Sequence, residues 1–363
     1  MQRAIALGSL GRLTAPPNPW VGCVLVRDGE VVGEGFHQAP GGAHAEANAL
    51  AQAGERARGS TAYVPLEPCS HHGRTPPCAE ALLAAGVTRV VAALIDPDER
   101  VGGTGVRVLR EHGVEVAVGV GNEEARESLA PYLFHRMTGR AWCLLKSAIS
   151  IDGRIAATDG TSRWITGERA RVDSHRLRAE SQAVLVGSGT ALEDRPALTV
   201  RHLEPPSGKQ PLRVLLDARG RVPANGPLFD TSLAPTLIVT TGAADPTVRA
   251  AWVEAGAEVV EVAEGPEGRG IDLEAALEIL GARDVLQVLV EGGAALNGAL
   301  LRTGLANRLV VYVGSKILGA QGHPLVGGPG PATMEDAFPF RLLNATQLGD
   351  DVRLEYEYGK VVA

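Results

Sequence analysis

The sequence predicts two consecutive α/β domains. A chain of 363 residues is longer than the chains that usually fold around a single hydrophobic core. Aromatic residues make up only 4% while glycine occurs 45 times, so the cores must consist mainly of Ala, Val and Leu, joined by many tight turns. Short apolar runs alternate with helical patterns along the chain. This alternation is typical of helices packed on a mostly parallel sheet.

The first half opens with a predicted hairpin. The runs VGCVLV and VVGEGF flank RDGE, whose Asp-Gly pair is a strong turn signal. HAEANALAQAG then predicts a helix with His44 and Glu46 in its first turn. The pattern continues as strand, loop, helix, strand, helix and strand through VEVAVGV. These elements form one α/β sandwich that ends near residue 120.

A connecting helix separates the two halves. EEARESLAPYLFHRMTGR predicts this helix, with its end at Gly139, and AWCLLKSAIS starts a new apolar strand. We therefore expect domains over residues 1–140 and 141–363. In the second, strands at AVLVG, LRVLLD, TLIVTT, EVVEV, VLQVLVEGG and RLVVYV alternate with helices at ERARVDSHRLRAE, PTVRAAWVEAG, IDLEAALEILG and AALNGALL. This pattern predicts a mostly parallel sheet, which the tail DVRLEYEYGKVVA closes with antiparallel strands.

Charge and hydropathy exclude several classes of partner. The formal net charge is -7 and no run of Lys or Arg stands out, so we expect no nucleic-acid partner. No window approaches the roughly 18 consecutive apolar residues of a membrane span, and MQRAIALGSLGR lacks a signal-peptide core. We expect a cytoplasmic homo-oligomer without a membrane partner. In that compartment cysteines stay reduced, so a close pair suggests metal binding or catalysis before a disulfide.

The residues His44, Glu46, Cys69 and Cys78 form the strongest chemical pattern. One imidazole and two thiolates supply three ligands, the number that a catalytic zinc uses when water takes its fourth position. Two residues apart on a helix, His44 and Glu46 point in different directions, so Glu46 can move the proton of the bound water. Cys78 falls at a predicted helix start, where exposed N–H groups stabilise a thiolate.

Two other interpretations of these residues stay open. The cysteines and the histidine could be ordinary core side chains, or the zinc could be structural, with His71 or His72 as a fourth ligand. Glu46 discriminates a catalytic site from a zinc-stabilised scaffold. Replacement by Gln abolishes turnover in an enzyme and changes nothing in a scaffold.

The order H-x-E, P-C and a second Cys matches the signature of zinc nucleobase deaminases, except that eight residues instead of two separate Cys69 from Cys78. With this longer loop, PNPWVGCVLVRDGEVVGEGFHQAPGGAHAE and LEPCSHHGRTPPC closely resemble the deaminase half of the bacterial bifunctional riboflavin-biosynthesis family, a pyrimidine deaminase joined to a reductase. The resemblance implies a cytidine-deaminase-like three-layer α/β/α domain.

The resemblance also implies roles for individual residues of this half. His44, Cys69 and Cys78 would be the zinc ligands and Glu46 the proton shuttle. Asn18 would recognise the base, because an amide both donates and accepts hydrogen bonds; its alternative is a turn residue between prolines. The remaining candidates, for contacts with the ribose or the phosphate, are His37, His71 and Arg74.

The second half resembles the reductase of the same family through KSAISIDGRIA, SRWIT, VGSGTALEDRPALTVR and VEGGAALNGALL. The resemblance implies a dihydrofolate-reductase-like α/β domain that uses NADPH. GSGTALED lacks the G-x-G-x-x-G spacing, so the residues alone support only a weak nucleotide site. VLVEGGAALNGALL predicts a buried strand, Gly-Gly and a helix whose free N–H groups suit a phosphate, although an ordinary strand-to-helix turn looks similar.

The reductase resemblance implies two sets of contacts. Those with NADPH would be Ala148, Trp164, Thr190, Asp194, Gly292, Gly293 and Ala294. Those with substrate would be Ser162, Arg178, Leu198, Arg201 and Glu291. Forked guanidinium groups grip phosphate at two points, which suits Arg178 and Arg201. Lys146 and Asp194 are the catalytic candidates, because hydride arriving at C1 of an opened ribose leaves an alkoxide to be protonated; a surface salt bridge is the alternative for each.

The family resemblance implies two consecutive reactions on small phosphorylated pyrimidines. Zinc-bound hydroxide would deaminate 2,5-diamino-6-(5-phosphoribosylamino)pyrimidin-4(3H)-one, and NADPH would then reduce the ribosyl group of 5-amino-6-(5-phosphoribosylamino)uracil to ribityl. A nucleic-acid deaminase with an unrelated second domain is the competing enzyme hypothesis. The acidic charge and the lack of a basic stripe speak against it, and salt-sensitive binding to RNA or DNA would favour it.

Overall fold

The computed structural model describes residues 1–70, 76–98, 101–203, 208–266, 268 and 270–359. The chain forms two compact units, Met1–Gly139 and Arg140–Ala363. Among the described residues no helix has the length and apolar character needed to cross a membrane.

The first unit has five helices and five strands among its described residues. The helices are α1 (Gln2–Ser9), α2 (Ala45–Ala53), α3 (Cys78–Ala84), α4 (Thr104–Glu111) and α5 (Asn122–Thr138). The strands are β1 (Gly22–Arg27), β2 (Glu30–Phe36), β3 (Thr61–Leu66), β4 (Arg89–Leu94) and β5 (Glu115–Val118). Helix α1 packs against α5, and α3 packs against α2 and α4.

The five strands form one mixed sheet in the order β2-β1-β3-β4-β5. The predicted hairpin is present, with β1 antiparallel to both β2 and β3. Strands β3, β4 and β5 are parallel, as expected where helices connect them. The carboxyl end of β3 therefore leads directly into the segment that carries Cys69.

Helix α2 begins one residue later than the sequence predicted. His44 is the residue before the helix, with extended backbone angles of φ -72° and ψ 166°, while Glu46 lies in the first turn. Because His44 lies outside the helix, helical geometry does not determine the angle between its side chain and that of Glu46.

The second unit contains the remaining helices and strands. The helices are α6 (Glu168–Glu180), α7 (Ser188–Asp194), α8 (Pro246–Glu254), α9 (Leu273–Gly281) and α10 (Ala294–Arg302). The strands are β6 (Trp142–Ser150), β7 (Arg154–Ala156), β8 (Ala183–Gly187), β9 (Leu212–Leu216), β10 (Thr236–Thr240), β11 (Glu258–Glu261), β12 (Gln287–Val290), β13 (Arg308–Gly314), β14 (His323–Pro324), β15 (Phe340–Leu348) and β16 (Asp351–Tyr358).

Nine of these strands form one sheet in the order β11-β10-β9-β8-β12-β6-β13-β16-β15. The first seven strands in this order, from β11 at the edge to β13, are all parallel. Strand β16 is antiparallel to β13, and β15 is antiparallel to β16. Leu145, Leu185 and Val290 contribute to a buried apolar cluster beside this sheet. In a parallel sheet the segments that follow the carboxyl ends meet at one edge, so β8, β9 and β12 deliver their following segments to the same region.

Four elements of the second unit carry weak sequence signals and were not predicted individually. Helix α7 is only 7 residues long, and β7 and β14 form a two-stranded sheet of their own. Strand β15 is largely exposed and reads as FRLLNATQL, without the strict alternation of a half-buried strand. Such short or exposed elements bury too little apolar surface for a periodic pattern to mark them.

Candidate active sites

The three predicted metal ligands meet in the first unit. His44 precedes α2, Cys69 lies three residues after β3, and Cys78 is the first residue of α3. The Nδ1 atom of His44 lies 3.3 Å from Sγ of Cys78 and 3.6 Å from Sγ of Cys69. The ligand atoms of all three residues fall within 4.8 Å of one another. The structure therefore brings together one imidazole and two sulfurs from distant parts of the sequence.

These distances fit a tetrahedral zinc ion. With Zn–S bonds of about 2.3 Å and Zn–N bonds of about 2.0 Å, tetrahedral geometry separates the sulfur and nitrogen ligands by about 3.5 Å. The observed separations of 3.3 and 3.6 Å bracket that value. Three ligands of this chemistry fill three positions of a four-coordinate site and leave one for water or substrate.

The two thiols differ in acidity, because they share one proton in the absence of a cation. The hydrogen bond from Cys78, together with His44, lowers the pKa of Cys69 to about 4. The hydrogen bond to Cys69, together with burial, raises the pKa of Cys78. A second thiolate beside the first is unfavourable in the absence of a cation. The hydrogen bond to Cys69 also raises the pKa of His44. A divalent cation would replace the proton that this trio shares.

The backbone around Cys69 is held from two sides. The N–H of Cys78 donates to Sγ of Cys69 at 3.4 Å, and the N–H of Ala79 donates to the Cys69 carbonyl at 3.0 Å. The buried Glu67 accepts hydrogen bonds from the N–H groups of Gly103 and Val106, at 2.9 and 3.0 Å. Glu67 thus ties the segment that carries Cys69 to the first turn of α4.

Glu46 is buried beside the metal ligands, with only 4% of its surface exposed. Burial raises the pKa of its carboxyl group, and the neighbouring Cys69 acts in the same direction. The carboxyl group also forms a hydrogen bond with the Cys78 thiol. A carboxyl group beside this ligand set can take up and release a proton there.

Asn18 and His37 form a connected pair near His44. The Asn18 amide group lies 3.0 Å from Nε2 of His37, whose Nδ1 lies 3.1 Å from the carbonyl of Ala43. Burial lowers the pKa of His37, so its ring is neutral, with Nδ1–H donating to Ala43 and Nε2 accepting from Asn18. Both ring nitrogens are therefore engaged. In this arrangement His37 orients the Asn18 amide, and a contact with ribose or phosphate would require one of these hydrogen bonds to break.

The other predicted contacts of this unit, His71 and Arg74, lie outside the described residues. The same holds for His72, which together with His71 was the alternative fourth ligand of a structural zinc.

The second unit contains a cavity of about 1370 Å³. Its volume exceeds the roughly 300–1,000 Å³ of a site for one drug-sized ligand, so it has room for a cofactor and a substrate together. Its lining includes every reductase residue predicted from the sequence. These residues are Lys146, Ala148, Ser162, Trp164, Arg178, Thr190, Asp194, Leu198, Arg201, Glu291, Gly292, Gly293 and Ala294.

A compact charge cluster occupies one part of this cavity. Arg178 donates to both carboxylate oxygens of Glu291, at 2.6 and 2.9 Å, and to the carbonyl of Thr199 at 2.8 Å. The fork that the sequence assigned to a phosphate is thus occupied by Glu291. Although burial opposes ionisation, the charges of Arg178 and Lys146 lower the pKa of Glu291 to about 2. Glu291 is therefore a fixed anion inside the cavity.

Lys146 is a partly buried lysine in this cluster. Burial lowers its pKa, Glu291 acts in the opposite direction, and Arg178 adds to the lowering. Its Nζ lies 5.7 Å from the centre of the Tyr312 ring. A lysine whose pKa is reduced towards neutrality transfers a proton more readily than an exposed one.

The turn between β12 and α10 has the form of a phosphate cradle. A Cβ added at Gly292 would lie 3.0 Å from Oδ1 of Asn297, and one at Gly293 would lie 3.4 Å from Oγ1 of Thr190. Glycine at both positions therefore leaves the backbone open to close approach, and the first N–H groups of the nine-residue helix α10 lie directly beyond. Burial raises the pKa of Asp194 at the end of α7. These features, in a cavity of this size, fit a dinucleotide.

Several lining residues were missed by sequence reasoning. They are all cationic or hydroxyl side chains of the kind that meets phosphate: Arg163, Arg171, Ser188, Arg219, Arg221 and Arg302. Arg219 and Arg221 follow β9, so their place after a parallel strand was the available signal. The guanidinium of Arg171 lies 4.5 Å from the centre of the exposed Trp164 ring, a contact between helix and loop that no sequence pattern marks.

Comparison with known proteins connects both units to one family. The sequence profile "RibD C-terminal domain" matches residues 141–354, and "Cytidine and deoxycytidylate deaminase zinc-binding region" matches residues 1–94. The "Riboflavin biosynthesis protein RibD" of Chlamydia pneumoniae is 47% identical over 361 residues, which cover 98% of this chain and 94% of that protein.

Solved structures agree over the whole length. The structure "Acinetobacter baumannii RibD, form 1" is 38% identical with a TM-score of 0.87, covering 99% of this chain and 98% of that chain. A Thermotoga maritima "diaminohydroxyphosphoribosylaminopyrimidine deaminase/5-amino-6-(5-phosphoribosylamino)uracil reductase" is 33% identical with a TM-score of 0.84, covering 99% and 97%. The predicted fold classes of both halves are confirmed.

Proposed function

The chain belongs to the RibD family of riboflavin biosynthesis proteins, and we propose that it catalyses two consecutive reactions of that pathway. Residues 1–140 would hydrolyse the ring amine of 2,5-diamino-6-(5-phosphoribosylamino)pyrimidin-4(3H)-one. Residues 141–363 would reduce the ribosyl group of the product, 5-amino-6-(5-phosphoribosylamino)uracil, to ribityl. The observation that carries the first activity is the ligand trio His44, Cys69 and Cys78 with the buried Glu46 beside it.

In the deamination, water replaces the amine on the ring carbon. Zinc held by this trio would lower the pKa of water at its fourth position towards neutrality. Glu46 would accept a proton from that water and pass it to the departing nitrogen, so that the C–N bond breaks and ammonia leaves. The Asn18 amide, oriented by His37, would donate to and accept from the pyrimidinone edge.

The reduction opens the sugar ring with the net addition of one hydride and one proton. Residues of α7 and of the turn before α10 would hold NADPH, which would supply a hydride for C1 of the ribosyl group. The bond from C1 to the ring oxygen breaks, and Lys146 would protonate that oxygen. Glu291 would keep Lys146 charged until transfer, while Asp194 and Thr190 would orient the cofactor.

The substrate's phosphate would meet Arg201, because the Arg178 fork is already paired with Glu291. Ser162 and Leu198 would line the remainder of the substrate site, and Trp164 and Ala148 that of the cofactor. A cytoplasmic location, a homo-oligomeric state and the lack of a nucleic-acid partner stay predictions from the sequence.

Replacement of one zinc ligand tests the division of labour. In Cys69→Ser we expect loss of bound zinc and of ammonia release, because two ligands do not hold the ion. NADPH oxidation with supplied 5-amino-6-(5-phosphoribosylamino)uracil should persist. The control Cys143→Ala removes a buried thiol outside the trio and should keep the metal. Loss of both activities in a folded Cys69→Ser chain would contradict two separate sites.

A further inference from the structure

A short segment between α7 and β9, residues 198–200, is buried although it is neither helix nor strand. Leu198, Thr199 and Val200 all have less than a tenth of their surface exposed. Backbone N–H and C=O groups that leave water without secondary structure must find other partners. The segment also lines the reductase cavity, so the way in which it is held decides the shape of that cavity.

Side chains from neighbouring elements supply these partners. Arg178 donates to the carbonyl of Thr199 at 2.8 Å. Gln210 accepts from the N–H of Val200 at 2.6 Å and donates to the same residue's carbonyl at 3.3 Å. His175, on the same helix as Arg178, accepts the N–H of Arg201 on its Nδ1 atom at 3.1 Å. Each of these bonds joins the segment to a fixed helix or to the residues that lead into β9.

His175 can serve Arg201 only as a neutral ring. An Nδ1 atom that accepts a hydrogen bond carries no proton, so the ring proton must be on Nε2. Burial, with the positive charges of Arg178 and Arg201 nearby, lowers the pKa of His175 to about 4. The ring of His202 lies edge-on to it, with 5.0 Å between ring centres. His175 therefore contacts the backbone of Arg201 and the side chain of the next residue.

Arg201 is an exposed residue that lines the cavity. Within the described part of the chain no acidic side chain forms an ion pair with it, whereas Arg178 is paired with Glu291. Of these two arginines, Arg201 is the one whose fork is open to an anion from solution. Its direction depends on the backbone at residue 201, and hence on the hydrogen bond to His175.

We propose that His175 is a positioning residue for the reductase: by holding the N–H of Arg201 it aims that guanidinium at the phosphate of the phosphoribosyl substrate. This inference rests on the proposed function, since it requires a substrate that carries a phosphate. His175 itself touches neither substrate nor cofactor in this account. Its effect reaches the substrate only through Arg201.

Two substitutions of His175 distinguish the effect of its hydrogen-bond acceptor from the effect of its aromatic ring. His175→Asn places an amide oxygen at the same distance from the backbone as Nδ1, and so keeps an acceptor for Arg201. His175→Leu fills the space with an apolar side chain and removes the acceptor. The control is Arg176→Met on the same helix, which removes the ion pair between the exposed Arg176 side chain and Glu180. Gln210→Met loosens the same segment at Val200 and serves if His175→Leu does not fold.

The measurements are equilibrium binding of ribose 5-phosphate to the full chain, and the KM values of the reductase for its phosphorylated substrate, for the dephosphorylated analogue and for NADPH. In His175→Leu and Gln210→Met we expect ribose 5-phosphate affinity to fall about tenfold and KM for the phosphorylated substrate to rise about tenfold, which is the scale of one misdirected charged contact. KM for the dephosphorylated analogue and for NADPH should stay unchanged. His175→Asn should restore most of the affinity, and Arg176→Met should resemble the wild type.

Equal losses in His175→Asn and His175→Leu would overturn the inference, because the ring alone would then matter. So would equal effects on phosphorylated and dephosphorylated substrates, a rise in KM for NADPH, or a wild-type chain that does not bind ribose 5-phosphate. The proposed function fails in a different way. In that case the wild-type protein binds ribose 5-phosphate and the variants change that binding as expected. Neither the wild type nor any variant oxidises NADPH when 5-amino-6-(5-phosphoribosylamino)uracil is supplied.

Discussion

Glu46 combines burial, contact with Cys78 and a place in the first turn of α2, directly after the ligand His44. None of the three proposed metal ligands can both accept and deliver a proton while bound to a cation, so we propose this carboxyl group as the proton carrier of the deaminase site. Its raised pKa, caused mainly by burial, keeps the protonated form accessible for the leaving nitrogen.

The variant Glu46→Gln should therefore lower deaminase turnover by roughly a hundredfold to ten-thousandfold, the range for loss of a general acid–base group. Ammonia release measures this loss. Zinc per chain, determined by elemental analysis, should remain that of the wild type, because Glu46 is not a ligand. A variant that still releases ammonia at the wild-type rate would remove Glu46 from the mechanism.

If Lys146 is the proton donor that we propose, the reductase should show a distinctive pH dependence. As an acid it must be protonated, so turnover is present below its pKa and is lost as the pH rises through it. Burial lowers that pKa from the ordinary 10.5, so the alkaline loss should begin at lower pH than for an exposed lysine. In Glu291→Gln the anion that opposes the lowering is gone, and the loss should shift further towards neutral pH.

The kcat of NADPH oxidation as a function of pH, for wild type and Glu291→Gln, measures this shift. Lys146→Met, which keeps the length of the side chain without its proton, should be inactive at every pH. An alkaline limb that stays in place in Glu291→Gln would show that Lys146 is not the titrating acid.

At the scale of elements, the deaminase site depends on how closely α4 approaches the segment after β3. A Cβ added at Gly105 in the first turn of α4 would overlap the carbonyl oxygen of Pro68, the residue before Cys69. Glu67 accepts two N–H groups of the same turn, so helix and ligand segment are joined by both contact and hydrogen bonds. Only glycine permits that approach.

Gly105→Ala should therefore displace Cys69 and weaken zinc binding, at a cost of about 1–3 kcal/mol for overpacking. Competition with a chelator, followed as zinc retained per chain, measures the effect. Gly330→Ala is a suitable control, because nothing lies within 4 Å of a Cβ at that position. Equal zinc retention by the two variants would mean that the α4 contact does not hold the ligand segment.

Across the whole molecule, the features that could be predicted from the sequence are those that depend on a local pattern or on chemically distinctive side chains. The hairpin at β1 and β2 follows from Asp-Gly between apolar runs, and Cys69 and Cys78 stand out because two reduced cysteines close in sequence suggest metal binding. Contacts between distant residues have no such signal. The Arg178 pair with Glu291 spans 113 positions and the bond from Arg201 to His175 spans 26, and neither follows from periodicity.

The same limit explains the two details that the structure changed. His44 was expected inside the first turn of α2 and precedes it, because cap geometry depends on the chain entering the helix. Arg178 was expected to grip phosphate, but folding brings Glu291 to its fork. Predicted roles for side chains thus depend on which partners the fold delivers.

The proposed function requires that one chain first releases ammonia and then consumes NADPH. The most direct measurement supplies 2,5-diamino-6-(5-phosphoribosylamino)pyrimidin-4(3H)-one to the full zinc-loaded chain, with and without NADPH, and follows ammonia and NADPH absorbance together. We predict ammonia release at the same rate in both cases, and NADPH oxidation that lags behind ammonia and never exceeds it. NADPH oxidation without ammonia, or no ammonia at all from the zinc-loaded chain, would contradict the account.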